Sequence, residues 1–235
     1  MLGFGVAPPR SGSGRRDGDQ RRDAILDAAL ACFVERGMLA TGIEDIRKAA
    51  GASPSSIYHQ FTGIADIVLA LVERISASHY TALADAAAGA TSLEHAVRAS
   101  VAALLEWTFA HPDEARFMYQ AFAMELAGPE RRKLEAVKHA QRDGFEQAVQ
   151  VWLEDGPLAA WSSLELGTLM LGATHQACRF YLTGQHLDPA WMVETLPTLA
   201  WLGVDGMIKG ARRPRRRPRV RDRGDRRARP SKARI

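Results

Sequence analysis

Apolar residues recur along most of this chain at the spacing of one helical face. The pattern i, i+3, i+4, i+7, i+8 is followed within residues 20–36 by Ile25, Ala28, Ala29, Cys32 and Phe33. Similar patterns, bounded by Gly, Pro and Ser/Thr caps, predict further helices at about 63–88, 92–110, 112–127, 129–155, 163–183 and 189–209. No segment shows the alternation of a β-strand. We therefore predict an all-α protein with about nine helices.

The run 41–61 predicts two short helices joined by a tight turn. Thr41 and Glu44 have the spacing of a capping box, so the first helix should start directly after Thr41. Gly51 should end this helix, because glycine tolerates the left-handed conformation of many helix ends. Ser53 is the expected cap of the second helix. Two helices with so tight a turn predict a helix-turn-helix, whose second helix enters the DNA major groove.

The stretch from Arg22 through Phe33-Val-Glu-Arg-Gly37 to Ile57-Tyr-His-Gln-Phe61 resembles the TetR (tetracycline-repressor) family of bacterial transcription regulators. The resemblance covers about 45 residues without gaps. It implies an N-terminal three-helix DNA-binding domain, followed by a C-terminal helical domain for ligand binding and dimerisation. The alternative interpretation of the same residues is a small three-helix unit with no role in DNA binding.

The resemblance implies a set of DNA contacts: Thr41, Ile43, Glu44, Ser53, Pro54, Ser55, Ser56, Tyr58 and His59. Three of these side chains are expected to contact phosphates: Thr41, Ser53 and Tyr58. Three others could reach base edges: Ser55, Ser56 and His59. Glu44 could accept a hydrogen bond from cytosine, but we favour its role in the capping box.

One position departs from the family pattern. The family commonly has a lysine three residues past the Phe of its Tyr-x-x-Phe element, where the lysine contacts a DNA phosphate. Here Phe61 is followed by Thr62-Gly63-Ile64. We expect Ile64 to be solvent-exposed, and its replacement by Lys to tighten DNA binding. The alternative is that Ile64 packs against the first helix or takes part in ligand signalling.

The middle helices combine aromatic and Met side chains with a few polar groups, which suits a small-molecule pocket of the kind the family has. The candidate ligand-binding residues are His79, Trp107, Phe117, Met118, Phe122, Phe145, Trp152, His175 and Arg179. For any one of them, plain core packing is the competing interpretation. We predict neither a cofactor nor a metal site, since the histidines are scattered without paired ligands.

The last two predicted helices, at about 162–183 and 189–209, are apolar on more than one face. Such helices must be buried on more than one side. We expect the same pair of helices from a second copy to provide that cover, which gives a homodimer. A tightly buried monomer core is the alternative.

The net charge of +4 conceals an uneven distribution along the chain. Residues 211–235 hold 12 Arg and one Lys against two Asp, which leaves the rest of the chain at −7. We predict a disordered N-terminal tail at 1–19, a DNA-binding domain at 20–66, a ligand-binding and dimerisation domain at 67–210, and a disordered Arg-rich tail at 211–235. The absence of a membrane-length apolar run, a signal pattern or paired cysteines favours a cytoplasmic protein.

These observations together predict a homodimeric, ligand-responsive transcription regulator. It would be a repressor that is released from a palindromic operator by a small apolar effector. The sequence shows no phosphate loop, metal-spaced cluster or nucleophile elbow, so we do not expect an enzyme. The alternative function is nonspecific nucleic-acid binding driven by the Arg-rich tails.

Overall fold

The computed structural model describes residues 13–124, 128–152, 158–159 and 161–211. Within these residues the chain forms nine α-helices and no strand, which confirms the predicted all-α fold. The helices are α1 (Ser13–Arg36), α2 (Ile43–Ala49), α3 (Pro54–Gln60), α4 (Ile64–Ala88), α5 (Leu93–Ala110), α6 (Pro112–Ala123), α7 (Gly128–Gln150), α8 (Ser163–Leu182) and α9 (Pro189–Ala211).

Several helix ends differ from prediction; α6, for example, ends at Ala123 and not near residue 127. Helix α1 begins at Ser13, so residues 13–19, predicted to be disordered, are helical. Helix α7 ends at Gln150, earlier than the residue 155 predicted. Thr91 does not cap α5; the Ser92 hydroxyl accepts from the His95 N–H instead. The predicted tails at 1–12 and 212–235 lie outside the described residues.

Two contiguous groups of buried apolar side chains form the core. The first joins α1–α3 and the N-terminal half of α4 to α6 and α7. The second joins the C-terminal half of α4 to α5, α7, α8 and α9. The predicted domain boundary at residue 66 falls in the first turn of α4, which continues unbroken to Ala88. Helix α4 therefore connects the N-terminal helices rigidly to the rest of the molecule.

Helices α8 and α9 pack side by side and leave apolar side chains on the surface. Their close approach is visible at Gly203, where an added Cβ would lie 3.4 Å from the Leu169 side chain. Trp191, Leu199 and Leu202 of α9 are 46%, 49% and 60% exposed. Their spacing places them on one face of the helix. The second apolar face predicted for α9 is thus present and uncovered in the monomer.

None of the helices in the described ranges has the length and apolar character that crossing a lipid bilayer demands.

Candidate functional sites

The predicted helix-turn-helix consists of α2, a short turn and α3. Gly51 in the turn has φ +61°, the left-handed conformation that favours glycine. The Ser53 hydroxyl accepts a hydrogen bond from the Ser56 N–H at 3.1 Å, so Ser53 caps α3 as predicted. Ile46 of α2 and Ile57 of α3 are fully buried. These contacts hold the two helices in one fixed relation to each other.

The predicted capping box of α2 is wrong in its residues. Gly42 is the N-cap of α2, and its N–H donates to the Asp45 carboxylate at 2.9 Å. Glu44 instead accepts from the Arg47 guanidinium at 2.6 and 2.8 Å, and this hydrogen bond lowers the pKa of Glu44. Thr41 is 5% exposed, and its hydroxyl lies 3.2 Å from the Cys32 carbonyl oxygen and 2.9 Å from the Gly37 carbonyl oxygen. Thr41 therefore anchors the loop and is not placed to contact a phosphate.

Arg47 also fastens the turn. Its Nη1 donates to the Ala52 carbonyl at 2.9 Å while the same guanidinium holds Glu44. The carboxylate of Glu44 is thus engaged by its own helix and is not offered to a base edge.

The exposed surface of the helix-turn-helix carries most of the predicted DNA contacts. Tyr58 is 60% exposed. The other exposed members of the set are Glu44, Ser53, Pro54, Ser55 and His59. Two members are placed differently. Ile43 is half-buried against the first core group, and the Ser56 hydroxyl oxygen is buried with no hydrogen-bond partner among the residues that the structure describes. Neither Ile43 nor the Ser56 hydroxyl presents a polar group to solvent.

Helix α1 contacts the C-terminal end of α3 through Arg22. The Arg22 guanidinium lies 4.5 Å from the centre of the Phe61 ring and donates to the Gln60 carbonyl at 3.3 Å. Arg21 was not among the residues that the sequence analysis predicted to bind DNA. It is exposed and lines a groove of about 310 Å³ together with Ser53 and Ser56. Arg21 therefore brings a positive charge beside the turn.

Ile64 is less exposed to solvent than we expected. It is half-buried and packs against the first core group, which draws its residues from α1 and from several other helices. The reason is its place at the first residue of α4, where the helix passes over the core of the DNA-binding unit.

The structure brings together three of the predicted ligand-binding residues. The His79 ring of α4 lies 4.7 Å from the Trp107 ring of α5 and 6.2 Å from the His175 ring of α8. Burial, with a smaller contribution from His175, lowers the pKa of His79 to about 3. Burial lowers the pKa of His175 to about 4. Both rings are therefore neutral at pH 7.

Tyr119 of α6 completes this cluster and was missed by sequence reasoning. Its hydroxyl lies 2.9 Å from Nδ1 of His175. Burial raises the pKa of Tyr119 well above its usual range, so the phenol keeps its proton. Nδ1 of His79 is buried and has no hydrogen-bond partner in the described part of the chain. Buried polar atoms are nearly always paired, so this nitrogen is an exception that calls for a function.

The remaining predicted ligand residues are dispersed. Phe117 stacks on Phe33 of α1 with ring centres 5.6 Å apart, and Met118 is buried in the same core group. Phe122 lies under the Lys138 ammonium, and Phe145 belongs to the second core group. Trp152 follows the end of α7 and is half-buried. For Phe117, Met118 and Phe145 the core-packing interpretation agrees with their positions.

Arg179 lines a separate groove between α6 and α8. The groove encloses about 260 Å³ and is lined by Arg116, Tyr119, Gln120, Ala123, Arg179, Leu182 and Thr183. Tyr119 is among the lining residues, so the groove borders the Tyr119–His175 pair. In the described ranges, no group of His, Cys, Asp and Glu is arranged to hold a metal ion.

Comparison with known proteins agrees with this geometry. The family model described as bacterial regulatory proteins, tetR family, matches residues 25–71. The transcriptional repressor KstR2 of Rhodococcus jostii RHA1 is 43% identical over 54 residues, which are 23% of this chain and 26% of KstR2. The chain thus matches about a quarter of that relative's length.

Two further proteins match over most of their length. The transcriptional activator FasR of Mycolicibacterium smegmatis is 23% identical over 187 residues, 79% of this chain and 84% of FasR. The crystal structure of the regulator FadR from Bacillus subtilis, in complex with stearoyl-CoA, superposes with a TM-score of 0.64 at 14% identity, covering 77% of this chain and 98% of FadR. Residues 25–71 of the chain, which include the helix-turn-helix, therefore match the tetR family of bacterial regulatory proteins, and the all-helical architecture of the described residues is similar to that of solved regulators.

Proposed function

We propose that this protein is a homodimeric transcription regulator that binds a palindromic operator and releases it when a small molecule binds. The observation that carries the proposal is the exposed surface of α3, with Ser55, Tyr58 and His59 presented to solvent. The buried Ile57 and the bracing by Arg22 hold that surface in place. A preformed recognition helix of this kind fits the major groove.

The dimer follows from the uncovered apolar stripe of α9. Trp191, Leu199 and Leu202 would remain in water in a monomer, whereas a second copy related by a two-fold axis would cover them. Two-fold symmetry in the protein implies two-fold symmetry in the operator, with half-sites about one helical turn apart.

The proposal includes repression of transcription and release of the operator when a ligand binds. The KstR2 relative is a repressor, whereas FasR is an activator, so the direction of control has to be measured. The cluster of aromatic and polar side chains around His79 and Trp107 supports a small-molecule effector that binds in the helices after the helix-turn-helix. That FadR was crystallised with stearoyl-CoA supports a small-molecule effector for this fold. We propose no catalytic activity.

Footprinting on the DNA upstream of the gene tests the proposal. We expect two protected half-sites related by two-fold symmetry. Tyr58→Ala should weaken operator binding by about tenfold, the effect of removing one charge-assisted hydrogen bond to a phosphate, and leave the melting temperature unchanged. Leu39→Ala is the matched control, because Leu39 is 97% exposed in the loop before α2 and is not among the proposed DNA-binding residues. Protection without two-fold symmetry would contradict the proposal.

The second candidate function is sequence-independent nucleic-acid binding. The net charge of +11 over residues 211–235 favours it. Equal affinity for operator and scrambled DNA would select this alternative.

A further inference from the structure

The groove between α6 and α8 is lined by charged, polar and apolar side chains. Two guanidinium groups stand at it, Arg116 from α6 and Arg179 from α8, together with the neutral polar side chains Gln120 and Thr183. Its apolar lining comes from Ala123 and Leu182. No carboxylate is among the described residues that line it.

The two arginines differ in their hydrogen bonds within the protein. Arg116 donates from Nη1 to Asp113 at 2.7 Å and from Nε to the Leu182 carbonyl at 3.1 Å. A guanidinium has five N–H groups, so Arg116 keeps donors for a further acceptor. Arg179 is exposed beside it. The groove therefore presents planar donors that match the oxygens of a carboxylate or a phosphate.

The inner wall of the groove leads to the buried polar cluster. Tyr119 is one of the lining residues, and its hydroxyl is within hydrogen-bond distance of His175. Behind His175 lies His79, whose Nδ1 has no partner among the described residues. Leaving such a nitrogen unpaired is unfavourable, so the cluster behind the groove differs from plain apolar packing.

Resting on the function proposed above, we propose that the α6–α8 groove is the effector site, and that its effector is a small amphipathic anion. Arg179, assisted by Arg116, holds the carboxylate or phosphate, and the apolar part of the molecule lies against Leu182 and the Tyr119 ring. The volume of about 260 Å³ lies just below the usual range for ligand pockets, about 300–1,000 Å³, and so suits a small molecule.

Helix α6 gives this groove a direct connection to the DNA-binding unit. On its groove side α6 carries Arg116 and Tyr119, and on another side Phe117 stacks on Phe33 of α1 at 5.6 Å. Helix α1 in turn holds α3 through Arg22. A ligand that repositions α6 would shift α1 and so change the spacing of the two recognition helices in a dimer.

The groove does not coincide with the surface proposed for dimerisation. Leu169 of α8 faces α9 at Gly203, whereas Arg179 and Leu182 face α6. An effector can therefore reach the groove on the edge of α8 away from α9.

The test uses the full-length protein and three probes with the same alkyl chain: octanoate, octyl phosphate and octan-1-ol. We expect an anionic probe to bind the wild type about tenfold more tightly than the alcohol by calorimetry, and to reduce operator affinity. The preferred anion identifies the head group. Arg179→Gln should abolish the preference for the anion and leave the alcohol's affinity unchanged. Arg131→Gln is the control, since Arg131 is exposed on α7 and does not line the groove.

Equal binding of the three probes to the wild type would overturn the inference, as would an unchanged preference in a folded Arg179→Gln variant. If Arg179→Gln does not fold, Arg179→Lys decides, because it keeps the charge and lacks the planar fork: a retained preference weaker than that of wild type supports the site, and an undiminished one overturns it. Operator footprinting without probes is measured separately. Two-fold protection with no anion preference would refute the groove and leave the proposed regulator standing.

Discussion

His79 is the residue whose environment departs most from that of a free side chain. It is 1% exposed, has an unpaired Nδ1 within the described structure, and its pKa is lowered to about 3. The unfolded chain binds a proton to this ring below about pH 6.5, whereas the folded chain does not until about pH 3. Stability is therefore fully present above pH 6.5 and falls as the pH drops below it.

His79→Leu removes both the orphan nitrogen and this proton linkage. We expect the variant to be as stable as wild type or slightly more stable at pH 7. At pH 5 wild type should be destabilised by roughly 2 kcal/mol through this group, an effect that the variant escapes. Thermal melts from pH 7 to pH 5 measure the difference. His139→Leu is the control, because Asp143 raises the pKa of that exposed ring, so the linkage has the opposite sign. Parallel pH profiles for wild type and His79→Leu would contradict the prediction.

Ile64 shows how one position can serve both packing and binding. It is half-buried against the core, so Ile64→Lys should lower stability by roughly 1 kcal/mol, because less apolar surface is then buried. The lysine stem can still lie on that surface while the ammonium reaches solvent. Operator binding should then become steeper in salt by about 0.9 log units per subunit, as measured by anisotropy titrations at several salt concentrations. Ile64→Met controls for packing without charge, and an unchanged salt slope in Ile64→Lys would assign Ile64 to packing alone.

For single residues, the sequence predicted helix caps and exposure better than it predicted the contacts that each side chain makes. The cap at Ser53 and the exposure of Tyr58 follow from local rules, and the structure has both. The burial of Thr41 depends on a carbonyl 9 residues away along the chain, and the pairing of Tyr119 with His175 spans 56 residues. No local pattern reports such contacts.

Among the helices, α9 allows the most direct test of the proposed dimer interface. Its stripe of Trp191, Leu199 and Leu202 is exposed in the monomer although its other side is buried. Leu202→Arg would place a charge in the proposed dimer interface, where it would be desolvated without a partner. We expect the variant to shift from dimer to monomer in sedimentation equilibrium at micromolar concentration.

Val193→Arg is the matched control for that shift. Val193 is also on α9 and is 53% exposed, close to the 60% of Leu202, but it lies off the stripe. The control should remain dimeric. A dimer in both variants would remove α9 from the interface.

The elements themselves were largely predictable, because their periodicity and caps are local. Each of the nine helices in the described ranges was expected, and α8 begins with a capping box of Ser162 and Glu165, a pattern that is local in the sequence. The start of α1 was missed, since residues 13–19 are rich in Gly, Ser and Arg and carry no apolar face. Gly37, with φ +85°, ends α1 where glycine was expected to end it.

On the scale of the molecule, the two halves are not independent. The first core group includes Phe33 of α1 and Phe117 of α6, and α4 runs through both groups. The Asp27–Arg74 ion pair at 2.9 Å adds a second tie between α1 and α4. We therefore expect movement at α6 or α4 to change the position of the recognition helix. By thermodynamic linkage, an effector that weakens operator binding by some factor must itself bind the operator complex more weakly by the same factor.

The distribution of charge over the whole chain leads to the last prediction. Residues 212–235 hold 12 Arg and one Lys against two Asp, whereas the rest of the chain is net negative. Most of the positive charge lies outside the helix-turn-helix, which carries only Arg47 and Lys48 against Glu44 and Asp45. A chain of this kind needs another source of attraction to the phosphate backbone, and the C-terminal arginines provide one.

Removal of residues 212–235 should therefore weaken binding to operator and scrambled DNA alike. The log–log salt slope should fall by about 0.9 for each phosphate that the tail no longer neutralises, while the footprint on the operator stays the same. A full-length variant with the same arginines replaced by Gln separates charge from chain length, and it should behave like the truncation. If both variants keep the wild-type slope, the tail does not bind DNA, and the attraction must come from Arg21, Lys48 and their neighbours beside the turn. If the footprint itself disappears, sequence preference depends on the tail, and the recognition surface of α3 is not sufficient for it.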